Sequence, residues 1–260
     1  MIFRNALDAL SSILFPAPCR ICGNALAAAS RIPICKDCLD SFVPIGPPMC
    51  ARCGRPFVSP MAAEADRPLC RLCRAEKYGF DSARSFAQYD EKLTAAILLL
   101  KYEEIHSLGK WFAARLREVM AADEDVLRAD VVVPVPLHPD RLRERGYNQA
   151  EMIAAPLARQ LNLKLRAYLL VRTIPRPPRL HLSRRERWES VRGAYAISKG
   201  VQVDNLRILL VDDVMTTGAT LDACARALKR AGAAKVFALT VGRAVSGLAA
   251  AVPPKQRNTN

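Results

Sequence analysis

The sequence contains no apolar run long enough to cross a membrane. Its longest strongly apolar stretch, LTAAILLL at Leu93–Leu100, lies between two lysines, whereas a membrane-spanning helix needs about 20 apolar residues. The first fifteen residues also lack the parts of a signal peptide, because Asp8 interrupts the apolar centre and Phe15-Pro16 stands where a small-residue cleavage site is expected. Their helical spacing predicts a short amphipathic helix packed on its own protein or, less strongly, a contact with an acidic membrane surface. We therefore expect a cytoplasmic protein.

Acidic residues are few relative to basic ones. The 260 residues include 25 Asp and Glu against 39 Lys and Arg, which gives a formal net charge of +14. A surplus of this size favours anionic partners such as nucleotides, pyrophosphate, nucleic acid or an acidic membrane face, without choosing among them. The 51% of hydrophobic residues is typical of a globular chain and argues against disorder.

The arrangement of the cysteines is the most distinctive feature of the composition. Eight of the nine cysteines form four C-x-x-C pairs, and two such pairs can complete the tetrahedral shell of one zinc ion. Disulfides need an oxidising compartment, and a redox dithiol usually occurs once, so structural zinc is the favoured interpretation. Sequential pairing predicts two closed sites, although an interleaved pairing stays open. The first site would comprise Cys19, Cys22, Cys35 and Cys38, and the second Cys50, Cys53, Cys70 and Cys73.

The order of the segments predicts a small module followed by an α/β domain. Residues 1–80 hold the cysteine pairs, residues 81–248 alternate strands with helices, and the polar residues 249–260 are expected to be disordered. Such alternation predicts a mainly parallel sheet flanked by helices. The predicted strands are 129–135, 164–171, 206–211 and 236–241, and the predicted helices are 93–120 (broken near Gly109), 148–161 and 220–231.

The segment ILLVDDVMTTGAT, residues 208–220, predicts a ligand site at the end of a strand. An apolar strand ends in Asp212 and Asp213, and a loop of Thr and Gly then leads into a helix. Open α/β sheets bind ligands at the carboxyl ends of their strands, and loop amides at a helix N-terminus form a phosphate pocket. The carboxylates suit a neighbouring sugar diol. No G-x-x-x-x-G-K-[ST] motif occurs, which argues against a P-loop NTPase, and a structural Asp pair capping the helix is the remaining alternative.

These residues resemble the fingerprint of a known class of enzyme. VDDVMTTGAT is similar to the phosphoribosyl pyrophosphate (PRPP) motif of type I phosphoribosyltransferases. The wider pattern resembles the ComF family of competence-associated, phosphoribosyltransferase-like proteins, because the cysteine pairs are followed by VPVPLH at 133–138 and RGYNQ at 145–149. The resemblance implies that Asp212 and Asp213 bind the ribose hydroxyls. It also implies that the 5′-phosphate is bound by Thr216, Thr217, Gly218, Ala219 and Thr220.

The same resemblance implies roles for further residues. The loop after strand 129–135 would bind pyrophosphate and magnesium, and Arg145 would join the two acids as a catalytic residue, since a guanidinium fork fits pyrophosphate oxygens in pairs. Lys101 is either a phosphate ligand or a solvated lysine, and His138 is expected to pack or cap its loop. The polar stretch 172–192 corresponds to a flexible hood that closes over substrate. The pyrophosphate loop comprises Val135, Pro136, Leu137, His138, Arg141 and Asn148, and the hood arginines are Arg172, Arg179 and Arg184.

Two functions are consistent with these expectations. The first is a PRPP-binding phosphoribosyltransferase with an unidentified acceptor, which the ComF resemblance connects with DNA uptake during natural transformation and with other DNA-uptake proteins. The second is a catalytically inactive version of the fold that binds single-stranded DNA. The basic balance favours it, as do Trp188 and Tyr195, which can stack on bases. Arg179 and Ser190 stand where the family usually has Gln and Asn, so the resemblance does not indicate the acceptor.

Overall fold

The computed structural model describes most of the chain. The described residues are 17–26, 31–57, 67–75, 78–121, 123, 128–175 and 183–245. The helix expected near the N-terminus, the tail expected to be disordered and Arg179 lie outside these ranges. None of the helices within them is both long enough and apolar enough to cross a membrane.

Helices and strands alternate after a cysteine-rich start. The helices are α1 (Lys36–Asp40), α2 (Arg71–Arg74), α3 (Glu91–Tyr102), α4 (His106–Ala121), α5 (Pro139–Arg145), α6 (Gln149–Gln160), α7 (Arg184–Glu189) and α8 (Ala219–Arg230). The strands are β1 (Ser82–Gln88), β2 (Val131–Pro134), β3 (Lys164–Leu165), β4 (Leu170–Arg172), β5 (Tyr195–Ile197), β6 (Arg207–Met215) and β7 (Lys235–Arg243).

Five of the strands form one sheet in the order β1-β7-β6-β2-β3, and every pairing in it is parallel. The inner strands β6 and β7 are almost entirely buried, because a parallel sheet is covered on both faces and its strands carry apolar residues on both. Strands β4 and β5 form a separate antiparallel pair. The predicted parallel sheet flanked by helices is therefore confirmed.

Side chains of β6 contribute to two apolar cores, one on each face of the sheet. Leu209 and Val211 pack with α3, α4 and α6, while Ile208 and Leu210 pack with α8 on the other face. Successive residues of a strand point to opposite faces, and each such side chain contributes roughly 1.5–3 kcal/mol when fully buried. Asp212 and Asp213, which follow these residues, therefore belong to a strand that is packed into an apolar core on each face.

Each group of cysteines belongs to one of these two cores. Cys19 and Cys38 are buried with residues of α3 and α4, and the cysteines of the second group are buried with Tyr78 and Phe80 on the α8 face. Residues 43–45, between the two groups, form backbone hydrogen bonds with β1. The cysteine-rich segments therefore pack directly against the sheet and its helices.

The helical segment 93–120 is broken, but the prediction of a break near Gly109 is wrong. The break falls at residues 103–105, between α3 and α4, and Gly109 is buried inside α4. A Cβ at Gly109 would lie 2.6 Å from the carbonyl oxygen of Met152 in α6. Within α6 the Met152 carbonyl receives no hydrogen bond from the residue four positions later, because that residue is Pro156, which has no backbone N–H. Gly109 therefore marks a close helix contact and not a helix end.

Two of the predicted strands differ from the observed ones. Segment 164–171 is divided, because β3 pairs with β2 while β4 turns away to pair with β5. Segment 206–211 continues through both acids to Met215, since these residues go on pairing with β7. The loop before α8 is thereby shortened to residues 216–218. The other predicted strands and helices agree with the structure to within two residues at each end.

Candidate functional site

The cysteine sulfurs gather in two groups of four, as the sequential pairing predicts. Within each group the ligand atoms all lie within 4.8 Å of one another. The Sγ atoms of Cys22 and Cys35 are 3.7 Å apart, as are those of Cys53 and Cys70. A zinc tetrahedron with Zn–S bonds of about 2.3 Å gives sulfur separations of about 3.8 Å, whereas a disulfide needs about 2.05 Å. Both groups therefore fit structural zinc.

The twin acids lie at the carboxyl end of β6, where a parallel sheet presents a ligand site. Only 8% of Asp212 and 5% of Asp213 is exposed. Asp213 forms an ion pair with Lys101 near the end of α3, and its backbone N–H donates to Oδ1 of Asp212 at 2.9 Å. The sequence suggested that both acids accept hydrogen bonds from a sugar diol. The structure instead gives Asp213 a cationic partner and gives Asp212 no ion pair within the described part of the chain.

The two carboxyl groups consequently differ in acidity. Burial and the neighbouring Asp213 charge raise the pKa of Asp212 well above its usual value. Burial acts in the same direction on Asp213, but the Lys101 charge and hydrogen bonds from Asp212, Lys101 and Gln149 lower its pKa to about 2. Neighbouring carboxyls whose pKa values are pushed apart in this way are typical of functional sites.

Residues of the RGYNQ segment connect α3 with the acids. Gln149, the first residue of α6, is buried, and its side chain helps to lower the pKa of Asp213. Arg145 donates a hydrogen bond to Oε1 of Gln149, and its guanidinium carbon lies 5.2 Å from the centre of the Tyr102 ring. The structure therefore brings Lys101, Arg145 and Asp213 together through Gln149, a residue to which the sequence assigned no role.

The predicted pyrophosphate loop begins where β2 ends, beside β6 on the same edge of the sheet. Nδ2 of Asn148 donates to the carbonyl of Val135 at 3.1 Å, and its Oδ1 accepts from the Ala150 N–H and so caps α6. The side chain of His138 caps α5, which is the capping role expected of it. Between Val135 and His138, Pro136 and Leu137 are partly exposed.

The exposed Arg141 lies one turn into α5. Its guanidinium pairs with Glu144 at 2.9 Å, and this partner raises the pKa of Arg141. The same side chain also interacts with Tyr102, the residue on which Arg145 lies. Both arginines therefore gather beside the end of α3, on the side of the loop that follows β2.

The loop 216–218 carries the predicted 5′-phosphate ligands into α8. Gly218, the N-cap residue of α8, has φ of +80° and has no side chain with which to cap the helix, so the amides of Thr220 and Leu221 receive no hydrogen bond from it. Thr217 Oγ1 accepts from the Ala219 N–H at 3.3 Å, while Thr216 and Thr220 are partly exposed. The helix dipole adds a partial positive charge at this position.

Of the expected hood arginines, Arg172 has a well-defined environment. Its Nη1 donates to the Tyr195 hydroxyl at 3.0 Å, and its guanidinium carbon lies 5.3 Å from the centre of that ring. Tyr195 is only 4% exposed, so the suggestion that it stacks on bases is wrong. Arg184 begins α7, a short helix with a Ser183–Glu186 capping box.

Two further residues near the site were missed by the sequence reasoning. The Tyr78 hydroxyl donates to the carbonyl of Thr217 at 2.9 Å, and the buried Arg243 at the end of β7 contacts Met215. Tyr78 lies in a segment without periodicity and Arg243 follows a predicted strand, so no local pattern distinguished either from a surface residue.

This architecture defines the class of the protein as a phosphoribosyltransferase-type α/β fold preceded by cysteine tetrads of the zinc-ribbon kind. Family models agree: the double zinc ribbon domain matches residues 10–74, and the phosphoribosyl transferase domain matches residues 148–249. The chain belongs to the ComF family, the family of competence protein F and DNA utilization protein YhgH.

Its curated relatives are similar over most of their length. The DNA utilization protein YhgH of Salmonella typhimurium is 30% identical over 224 residues, which cover 85% of this chain and 94% of that protein. Competence protein F of Haemophilus influenzae is 27% identical over 218 residues, covering 81% and 89%. Among solved structures, glutamine PRPP amidotransferase from B. subtilis matches 52% of this chain and 26% of its own, with 24% identity and a TM-score of 0.35.

Proposed function

We propose that the chain binds PRPP with magnesium at the carboxyl edge of its sheet and acts as a phosphoribosyltransferase on an unidentified acceptor. The observation that carries the proposal is the convergence of Lys101, Gln149 and the Asp212–Asp213 pair beside the loop 216–218. These groups come from three distant parts of the sequence. A structural ion pair alone would not account for the N-terminus of α8 beside it, whose N-cap residue Gly218 has no capping side chain.

The chemistry of each group suits one part of PRPP. Amides and hydroxyls of the loop 216–218 and the first turn of α8 bind the 5′-phosphate. Asp212, which has no ion pair in the described chain, accepts from a ribose hydroxyl, and Lys101 holds Asp213 charged for the second hydroxyl. Residues 135–138 would hold the pyrophosphate end of PRPP, where a magnesium ion, which prefers oxygen ligands, would neutralise part of the charge of the leaving group.

Catalysis in this proposal is mostly positioning and charge stabilisation. The bond from ribose C1 to pyrophosphate breaks, the acceptor forms a new bond to C1, and pyrophosphate leaves with the electron pair. Arg141, in the first turn of α5, and Arg145, at its end, neutralise the leaving group. The hood residues around α7 exclude water while the positively charged ribose centre forms.

Isothermal titration with magnesium and PRPP tests this proposal. The double variant Asp212→Asn, Asp213→Asn should weaken binding at least about 100-fold, because two hydrogen bonds to charged groups are lost. Asp81→Asn is the matched control: Asp81 is also partly buried and paired with lysines, Lys229 and Lys235, but lies at the opposite edge of the sheet. Unchanged PRPP affinity in the double variant would reject the proposed site.

The biological role that we propose is DNA uptake in natural transformation. The motivation is the ComF family membership, since one relative is a competence protein and another a DNA utilization protein. Deleting the gene in its own organism should lower the frequency of transformation, and a wild-type copy or Asp81→Asn should restore it. Full restoration by the Asp212→Asn, Asp213→Asn copy would separate the role in uptake from the PRPP site.

A second candidate function, binding of single-stranded DNA, is supported by a groove between α7 and α8. This cavity has a volume of about 520 Å³ and is lined by Trp188 together with three exposed arginines, Arg192, Arg226 and Arg230. Arginine binds phosphate and an indole ring can stack on a base. The groove lies along the outer side of α8, so DNA bound there would leave the loop 216–218 accessible.

Fluorescence anisotropy with a labelled thymidine oligomer tests the second candidate. Binding should weaken as salt rises, and Arg230→Gln should reduce the slope of log affinity against log salt by about one. Arg117→Gln provides the control, because Arg117 is likewise an exposed helix arginine but lies on α4. Equal salt slopes for both variants would exclude the groove as the DNA site.

A further inference from the structure

Arg243, the last residue of β7, is the largest fully buried side chain among the residues that the structure describes. Only 1% of it is exposed. Its Nη1 contacts Sδ of Met215 at 2.8 Å, its Nη2 donates to Sγ of Cys53 at 3.4 Å, and Nε has no hydrogen-bond partner. No carboxylate of the described residues pairs with it. Within the described residues, both hydrogen-bond acceptors of the guanidinium are therefore sulfur atoms.

A buried guanidinium needs a counter-charge, because an unpaired charge in a protein interior is strongly unfavourable. A neutral thiol cannot supply one. Four thiolates around a divalent zinc ion carry a net charge of −2, and Cys53 belongs to the second group of four. Arg243 thus fits a second cysteine group that is deprotonated and metal-bound, and it compensates part of the charge of that group.

The same arginine lies one contact away from the loop 216–218. Met215, which Arg243 touches, precedes the loop and packs against Gly218, where an added Cβ would lie 2.7 Å from the Met215 Cε atom. The same Cβ would lie 2.8 Å from the Tyr78 ring. Met215 and Tyr78 therefore both pack closely against Gly218, which leaves the loop little room to shift.

Tyr78 makes a second connection from the zinc side. Its hydroxyl donates to the Thr217 carbonyl at 2.9 Å, and its own carbonyl accepts from Arg52 at 2.7 Å. Arg52 lies between the zinc ligands Cys50 and Cys53 and also donates to the carbonyl of Phe80 at 3.2 Å. The second cysteine group therefore holds the loop by two routes, one through Arg243 and Met215 and one through Arg52 and Tyr78.

The first cysteine group has no comparable connection within the described residues. It packs with α3 and α4 on the other face of the sheet, and its Arg20 pairs with Glu103, just after α3, at 2.5 Å. The two groups have the same ligands and the same spacing of sulfurs, but only the second touches residues that contact the loop.

We propose that Arg243 is a positioning residue through which the second zinc site holds the loop 216–218 in the shape that binds phosphate. Affinity for a phosphoribosyl ligand then depends on the second zinc site and not on the first. The phosphate part of this inference rests on the proposed function, whereas the support of the loop can be measured without any ligand.

The test uses the full-length, zinc-loaded chain and three variants. Arg243→Gln removes the charge, Tyr78→Phe removes only the hydroxyl bond to Thr217, and Arg20→Gln is the matched control at the first site. Three quantities are measured for each: the rate of zinc transfer to a coloured chelator, hydrogen exchange of the amides of residues 216–221 in the free protein, and PRPP affinity by titration.

Arg243→Gln should speed the release of one of the two zinc ions and the exchange of the loop amides by about tenfold or more, because a hydrogen bond to a charged group is lost. PRPP affinity should fall by a similar factor. Tyr78→Phe should speed loop exchange roughly two- to tenfold with both zinc release rates unchanged. Arg20→Gln should leave loop exchange and PRPP affinity at the wild-type values.

A folded Arg243→Gln protein with wild-type loop exchange would overturn the inference. If that variant does not fold, Arg243→Lys and Tyr78→Phe are measured instead. Arg243→Lys keeps the positive charge and should release zinc as slowly as the wild type. Wild-type loop exchange in Tyr78→Phe would contradict the proposed support of the loop. If the wild-type chain does not bind PRPP but Arg243→Gln still loosens the loop, the proposed function fails while the connection between zinc and loop stands.

Discussion

At the scale of single residues, Asp212 and Asp213 are adjacent in sequence but have opposite electrostatic environments. Lys101 and Gln149 stabilise the charge of Asp213, while burial and the Asp213 charge raise the pKa of Asp212. The charged form of Asp212 therefore lowers the stability of the folded protein. A residue with this cost at the end of a buried strand indicates a role in binding and not in stability.

The two amide substitutions should therefore change stability in opposite directions. Asp212→Asn should raise the free energy of unfolding at pH 8 by roughly 1–2 kcal/mol, since a charge disfavoured by burial is removed. Asp213→Asn should lower it by roughly 3–5 kcal/mol, because Lys101 loses its partner in a largely buried ion pair. Urea unfolding of each single variant measures both values. Destabilisation of similar size in both variants would contradict the assigned environments.

The effect of pH should also differ between these variants. The pKa of Asp212 is raised above that of an unfolded aspartate, about 3.9, so its penalty develops as pH rises from about 4 and is complete above the raised pKa. The stabilisation by Asp212→Asn should accordingly grow with pH in a series that begins at about pH 5.

Asp213 provides the internal control for that pH series. Its folded pKa of about 2 and its unfolded pKa of about 3.9 both lie below this range. Its pairing with Lys101 stabilises the folded chain fully above about pH 4 and is lost only as pH falls towards 2, so this pairing adds no pH dependence within the series. A stabilisation by Asp212→Asn that is independent of pH would contradict the raised pKa.

At the scale of helices and strands, the sequence predicted elements where one local pattern dominates. The apolar, β-branched runs of β2 and β7 and the amphipathic α6 and α8 agree with the prediction, and β6 begins where it was predicted but continues to Met215. Strand β1, SARSFAQ, was missed because its alternation of small and polar residues becomes a strand only by pairing with β7. Helix α5 was taken for loop, because its limits depend on the His138 cap and on Gly146 with φ of +83°.

The packing of α4 on α6 gives a prediction at this scale. Gly109→Ala should lower the free energy of unfolding by roughly 1–3 kcal/mol, because the new methyl group would overlap the Met152 carbonyl, a backbone atom that cannot rotate away. The exposed neighbour Lys110→Ala should change it by less than about 0.5 kcal/mol. Thermal unfolding of the two variants checks this, and a stabilised Gly109→Ala would contradict the close contact.

The sequence predicted the individual segments of the candidate site better than the contacts between them. Sequence pattern indicated Lys101, the RGYNQ segment and the acids separately, but their meeting through Gln149 depends on the packing of α3, α6 and β6. Tyr78 and Arg243 had no local signal, since their roles exist only once the second cysteine group packs beside the loop. The boundary proposed at residue 80 likewise depends on tertiary packing, and Tyr78 and Phe80 share a core with the sheet.

At the scale of the whole molecule, zinc should stabilise the sheet as well as the cysteine-rich segments. Each cysteine group is part of a core, and Trp111 and Trp188 pack against the first and second core respectively. Removal of zinc by a chelator should therefore lower stability by several kcal/mol and shift the transitions seen by tryptophan fluorescence and circular dichroism together. Native fluorescence and helicity in the zinc-free chain would show that the cysteine segments fold as an independent module.

The central claim is that the carboxyl edge of the sheet binds a phosphorylated ribose. Hydrogen exchange with and without magnesium and PRPP tests it most directly, because it reports both binding and position. The account predicts that amides of residues 216–221 exchange more slowly with ligand, as do those of residues 135–138, while those in the second half of α8 do not change. Protection confined to the groove between α7 and α8, or no protection at all, would contradict it.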